Sequence, residues 1–328
     1  MIQRSGEFVI IDDLARIFGR PAYGLGIGDD AAVFSPRGGM DLVWTTDVQV
    51  DGFHFHWDWI SPEPLGRRAA AVSLSDLAAM GARPLGALVS FHLPPSIDRL
   101  KILSVARGIQ ERVRDAGAHI LGGNLTGDKT FSVEISFIGE VPSGRALLRS
   151  TAREGDHVYV TGVPGSAALA LLLFQKGFQR ENLAKEIIDR WRNPLPRLVL
   201  GQKLIGLASA AIDISDGFLA DGAHLAAQSH VDLEIDESAL PESDSLVEIA
   251  QKLGTSFSQV RFEPSDDYEL LFTAPASAHS EILELSSEPI HRIGRVLKGN
   301  GQVWLLGRDG TKDTVLPLGW DHLAQYQT

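Results

Sequence analysis

Apolar and polar positions alternate most clearly over residues 131–141 (FSVEISFIGEV), where Phe131, Val133, Ile135 and Phe137 alternate with Ser132, Glu134 and Ser136. A period of two marks a strand with one face in a core. Residues 41–50 (DLVWTTDVQV) read as a second strand. Over residues 98–116 (DRLKILSVARGIQERVRDA) the pattern becomes that of an amphipathic helix, preceded by Pro94 and Pro95 and stopped at Gly117. Strand-like HVYVTG (157–162) leads into a helical run, SAALALLLFQK. Further on, helices are expected near 196–208, 217–229 and 244–253, with strands near 210–214, 268–273 and 302–306. Mixed strands and helices in both halves predict an α/β or α+β class. The joint VPSGRALLRS at 141–150 carries Pro and Gly, so the expected domains are 1–145 and 146–328. Two domains are also what a chain of 328 residues favours.

Composition narrows the class. With 44% hydrophobic and 22% charged residues the chain reads as an ordinary globular protein. No apolar run approaches the roughly 18–20 residues that span a bilayer. The N-terminal stretch MIQRSGEFVIIDDLARIF holds acids inside its apolar part, unlike a secretory signal. There are no cysteines, which excludes disulfides, thiolate metal sites and a cysteine nucleophile, and fits a cytoplasmic protein. The net charge is −12 and no block of Lys or Arg stands out, which argues against nucleic acid or an anionic membrane as partner. An acidic protein can still hold an anionic small molecule when divalent cations bridge the two.

The acids supply the candidate chemistry. Asp29 and Asp30 sit side by side in GIGDDAAV, Asp47 in WTTDVQVDG, Asp76 in VSLSDLAAMGA, and Asp213 and Asp216 in AAIDISDG. On a strand, Ile212 and Ile214 share one face and Asp213 and Ser215 the other. Any one of these acids alone reads as a turn former or helix cap. Together, beside apolar residues, they call for positive charge, and Mg²⁺ with a polyphosphate supplies it through oxygen ligands. The segment GGNLTGDKT (122–130) could bring backbone N–H groups to a phosphate. It is not a Walker A loop, because Asp128 follows Gly127 and Lys129–Thr130 come one place late. GLGIGDD does not fit the dinucleotide fingerprint, and no G-x-S-x-G elbow occurs. His54 and His56 would share a strand face, but with no cysteine and no third histidine nearby a zinc site is not supported.

These segments, in this order, resemble the thiamine-monophosphate kinase family of the aminoimidazole-ribonucleotide synthetase superfamily. The resemblance runs from GEFVIIDDLARIF through GIGDDAAVF, TTDVQVDGFHF, GRRAAAVSLSDLAAMGARPL, GGNLTGD, LRSTAREGDHVYVTG, NPLPRLVLGQKL, AAIDISDGFLADGAHLA and DDYELLFTAP to LGWDHL. DGFHF, DISDG, DYELLFT and GWDH carry the thiamine branch. The resemblance implies ATP-dependent, Mg²⁺-assisted phosphorylation of thiamine monophosphate to thiamine diphosphate, direct and without a phosphoenzyme. It further implies a homodimer whose N-terminal sheet pairs across the dimer, a C-terminal α/β domain, and ATP in the cleft between domains. Carried over residue by residue, Asp30, Thr45, Thr46, Asp47, Asp76, Asp213 and Asp216 fall on metal positions, with Asp29 beside them and Asn124 in the place of a metal-site acid. Gly123, Asn124, Arg149 and Ser215 fall on ATP positions, and His54, Asp266 and Trp320 on substrate positions. Catalytic work would rest on Asp30, Asp47, Asp76, Asp213 and Arg149.

Three departures from the family's pattern stand out. Gly122–Gly123–Asn124 replaces a GGD, so one carboxylate is lost unless another acid such as Asp128 compensates. PSDDYEL replaces GGEDYEL, putting Asp266 where a Glu is usual. A glycine is missing from the run VPGSAALALLLF. Two other readings stay open: a sister ATP-dependent enzyme acting on another small molecule, and a non-catalytic nucleotide-binding dimer.

Overall fold

The computed structural model describes residues 6–19, 36–178, 184–314 and 319. They fall into two compact units. The first holds the chain up to Leu77, then Ala82–Gly144 and Arg192–Leu198; the second holds Ala78–Gly81, Arg145–Trp191 and the chain from Val199 on. Both mix helices with a sheet, as the sequence predicts.

In the first unit the elements are α1 (Gly6–Phe18), β1 (Met40–Val50), α2 (Pro62–Ala79), β2 (Arg83–Leu93), α3 (Arg99–Asp115), β3 (His119–Gly127) and β4 (Ser132–Pro142). Asp98 starts α3 by accepting the Leu100 N–H at 3.0 Å. The sheet order is β1-β4-β2-β3, with β2 and β3 parallel and the other pairs antiparallel. Val89, Phe91, Val133, Ile135 and Phe137 bury one sheet face in a core shared with Leu74, Leu77, Val105 and Ile109. Helices α2 and α3 meet backbone to backbone. A Cβ on Gly66 would run into the Val105 carbonyl, and one on Gly108 into the Glu63 carbonyl. The other sheet face is open and carries exposed Leu42, Trp44, Val48 and Leu88.

The segment 122–130, read from its glycines as a phosphate-loop candidate, is for the most part the edge strand β3. Its glycines serve close pairing: Gly123 lies opposite Val89, whose carbonyl a Cβ would strike.

The second unit carries β5 (His157–Thr161), α4 (Ser166–Gln175), α5 (Lys185–Arg192), α6 (Leu198–Leu204), β6 (Ala210–Asp213), α7 (Phe218–Ser229), β7 (Val231–Asp236), α8 (Asp244–Lys252), α9 (Phe257–Val260), β8 (Leu270–Ala274), α10 (His279–Leu283), β9 (Ile290–Lys298), β10 (Val303–Leu306) and β11 (Lys312–Thr314). Its mixed sheet runs β11-β10-β7-β9-β5-β8-β6. Helix α7 lies against β6, β7, β8 and β10. The core there includes Val158, Val160, Ile212, Leu225, Leu233, Leu271 and Ile293. Strand β6 is buried along its whole length, Asp213 included. Among the described residues no helix is long and apolar enough to cross a membrane.

Candidate active site

In the first unit, β1 sorts its residues by alternation. Thr45, Asp47 and Gln49 take the more enclosed face, and Thr46 and Val48 the open one. The Thr45 hydroxyl donates to Asp76 Oδ2, reaching from β1 to α2. Asp47 lies close enough to Asp76 that the two carboxyls interact, and its own carboxyl is pushed up to about 7, by burial first and by the Asp76 charge second. Asp47 Oδ2 is buried and accepts no hydrogen bond from a described residue. Two neighbouring acids with an orphaned buried oxygen form a donor set for a hard divalent cation, which would satisfy the oxygen and end the repulsion. Mg²⁺ therefore fits Asp47 and Asp76. Among the described residues no three acid or imidazole side chains gather into a complete metal cage; Mg²⁺ takes few protein ligands and keeps water or phosphate oxygens as the rest.

Other predicted metal residues of this unit stand apart. Thr46 donates to Glu134 Oε1 at 3.0 Å and accepts from Ser136 Oγ at 2.8 Å, on the open face. Gly123 shares a row with Asp47 through Ile135 and Val89. Three strand spacings, about 14 Å, separate them. Asn124 lies one row on, opposite Ser90, and both Gly123 and Asn124 are exposed. Asp128 follows β3, takes the Lys129 N–H at 2.6 Å and stands 3.8 Å from His92 Nδ1. His54 lies in the turn after β1, where its Nδ1 accepts the Val50 N–H at 3.2 Å. That bond leaves the ring proton on Nε2, so His54 offers a donor.

The second unit gathers the DISDG turn and the SDDYEL segment. The Ile214 N–H donates to the Glu269 carbonyl and the Tyr268 N–H to the Ile214 carbonyl, both at 2.8 Å. Tyr268 takes a left-handed backbone, φ 53°, a conformation that costs a bulky side chain and clusters at functional sites. A Cβ on Gly217 would come 3.2 Å from Pro264 Cα. This clasp puts Asp213, Ser215 and Asp216 beside the segment that carries Asp266. The Tyr268 hydroxyl stands 3.5 Å from Asp266 Oδ2. Arg149 is exposed, while its backbone carbonyl accepts from Ser229 Oγ at 2.7 Å and the neighbouring Leu148 carbonyl takes the Ala211 N–H. Gly319 lies against the same turn, since a Cβ there would be 3.7 Å from the Asp216 Cβ. Asp29, Asp30 and Trp320 lie outside the described residues.

Two acids that the sequence reading passed over organise this half. Asp221 takes three backbone N–H groups of the DISDG turn, and burial pushes its carboxyl up to about 6. Asp267 takes the Gly165 and Ala167 N–H groups at 2.7 and 2.8 Å, and the Ser265 hydroxyl at 3.1 Å. It thereby caps α4, whose N-cap glycine has no side chain. Burial pushes the Asp267 carboxyl up to about 6 against the pull of those bonds. The one sequence signal for Asp221 was an acid in the first turn of a predicted helix.

Two family models match: AIR synthase related protein, N-terminal domain, over residues 28–141, and AIR synthase related protein, C-terminal domain, over residues 153–305. A curated thiamine-monophosphate kinase of Escherichia coli K12 is 36% identical over 97% of this chain and 98% of its own length. The chain belongs to the thiamine-monophosphate kinase family. Among solved structures, a thiamine-monophosphate kinase from Stenotrophomonas maltophilia K279a matches with TM-score 0.78 and 36% identity over 93% of this chain and 97% of its own. AaThiL complexed with AMPPCP and TMP matches with TM-score 0.78 and 31% identity over 98% of this chain and 100% of its own. The two acid-bearing regions thus lie in a thiamine-monophosphate kinase fold matched over nearly its whole length.

Proposed function

We propose that this chain transfers the γ-phosphoryl of ATP to the phosphate of thiamine monophosphate, giving ADP and thiamine diphosphate. The observation that carries the reading is the Asp47–Asp76 pair with its orphaned oxygen, in a chain related along its whole length to kinases of this reaction. Mg²⁺, once bound, neutralises phosphate oxygens that would otherwise repel so acidic a site. Asp47 and Asp76, with Asp29, Asp30 and Thr45, would hold Mg²⁺ in the first unit, and Asp213 and Asp216 would hold Mg²⁺ in the second; Thr46 on the open face and Asn124 on β3 stand away from the Asp47–Asp76 pair. Gly123, Asn124 and Ser215 bind ATP, and the exposed Arg149 fork takes phosphate oxygens through paired N–H donors. His54 Nε2–H, Asp266 and Trp320 orient thiamine monophosphate. Its phosphate attacks directly, so no side chain acts as nucleophile and the residues contribute position and charge.

The working form is a homodimer in the cytoplasm, residues 1–145 carrying the ATP, Mg²⁺ and dimer surfaces and 146–328 the α/β half. The open sheet face, with exposed Leu42, Trp44, Val48 and Leu88, supports pairing with a second copy, because large exposed apolar side chains gathered on one face favour a partner.

The test is ADP release with MgCl₂ and ATP, comparing thiamine monophosphate with a panel of other small acceptors. Release that depends on thiamine monophosphate supports the kinase. Release with another acceptor points to the sister enzyme, and tight nucleotide binding without release to a binding protein.

A further inference from the structure

The N–H groups of Ser215, Asp216 and Gly217 converge on a single oxygen, Asp221 Oδ2, at 3.0, 3.0 and 3.1 Å. Asp221 is only 2% exposed and stands in the first turn of α7. Consecutive N–H groups at a helix start form the concave donor set that can cradle a phosphate. Here the chain fills that cradle with its own carboxylate. Gly217, the N-cap of α7 at φ 133°, supplies no capping side chain, so the turn depends on Asp221 for these donors. With the N–H groups turned inward, the turn offers a ligand the half-buried Ser215 and Asp216 instead.

We propose that Asp221 is a positioning residue for the phosphoryl-transfer site. It touches no ligand; it fixes the turn so that Asp213, Ser215 and Asp216 meet Mg²⁺ and ATP. This rests on the kinase reading above. A residue acting in this way moves the affinity for Mg²⁺ and nucleotide, and leaves the KM for thiamine monophosphate almost untouched.

The test uses D221N and D221A in the full chain. Asp232→Asn serves as control, since Asp232 likewise gathers two backbone N–H groups, those of Asn300 and Gln302, at a turn away from the DISDG segment. Calorimetry reads the binding of a non-hydrolysable ATP analogue with Mg²⁺. Kinetics read Mg²⁺ half-saturation and KM, and thermal melting reads stability. D221N keeps an acceptor and loses the charge, so its nucleotide Kd and Mg²⁺ half-saturation should rise about tenfold, with KM for thiamine monophosphate within about twofold. D232N should melt lower than wild type with both affinities unchanged. Folded D221N with wild-type affinities overturns the proposal, as does a loss that D232N reproduces at equal melting temperature. If D221A does not fold, D221N decides. Wild type that binds Mg²⁺ and the analogue yet makes no thiamine diphosphate sinks the kinase reading, and the calorimetry still decides the role of Asp221.

Discussion

Asp267→Asn measures whether burial or hydrogen bonding governs the acid that caps α4. Oδ2 accepts from Gly165 N–H and the Ser265 hydroxyl, and Oδ1 from Ala167 N–H. These donors favour the carboxylate, whereas enclosure disfavours it, and the carboxyl rests at about 6 against 3.8. A folded-state pKa raised in this way contributes stability that is full below about pH 3.8 and is lost as pH rises through about 6. The loss totals about 3 kcal/mol, at about 1.4 kcal/mol per unit. About 1 kcal/mol of it has gone by pH 4.5, leaving about 2 kcal/mol between pH 4.5 and pH 8. Asparagine stays neutral throughout and, like the protonated acid, sets one donor against a backbone N–H. The stability of D267N relative to wild type should therefore rise by about 2 kcal/mol over that range. Urea unfolding at several pH values, followed by tryptophan fluorescence, reads the difference; Trp191 packs edge-on against Phe174 of α4 at 4.9 Å. A difference that is flat with pH, or that turns against D267N as pH rises, would show that the helix start and its three bonds outweigh burial.

Other consequences can be checked directly. Asp47→Asn removes a carboxyl whose ionisation burial and Asp76 both resist, so the metal-free variant should melt above wild type at pH 8. The same variant should lose most turnover and the thermal shift with Mg²⁺ and ATP, which in wild type reaches about 2.7 kcal/mol at a hundred times Kd. Trp44→Asp places a charge on the open sheet face, where Trp44 is 67% exposed; sedimentation should find wild type dimeric and the variant largely monomeric, and equal masses would refute pairing through this face. Gly108→Ala drives a methyl into the Glu63 carbonyl, and should cost about 1–3 kcal/mol of stability in urea titration.

Much of the fold was legible where one face of an element is buried. The alternation from Phe131 to Phe137 marked β4, and the period over 98–116 marked α3, because burial on one side writes a period into the chain. The segment 122–130 gave no strand signal, since a strand made of His119–Gly127 carries little alternation to read. Helix α2 left no clear period either, being buried on most sides and rich in alanine. In the site, the acids of Asp47 and Asp76 could be named as candidates from their neighbours, but their pairing depends on where α2 crosses β1. Asp221 and Asp267 act through bonds to backbone N–H groups that only the folded turn and the start of α4 bring within reach. Residue types announce charge; they do not announce which donors the fold will aim at it.

Phosphoryl transfer to thiamine monophosphate is read by a ³¹P NMR time course of the wild-type protein with ATP and thiamine monophosphate, run with and without MgCl₂. A kinase of this kind makes the two phosphorus signals of thiamine diphosphate grow in step with ADP, and only when Mg²⁺ is present. ADP appearing with inorganic phosphate alone, or thiamine diphosphate forming equally well without a divalent cation, would contradict the kinase reading.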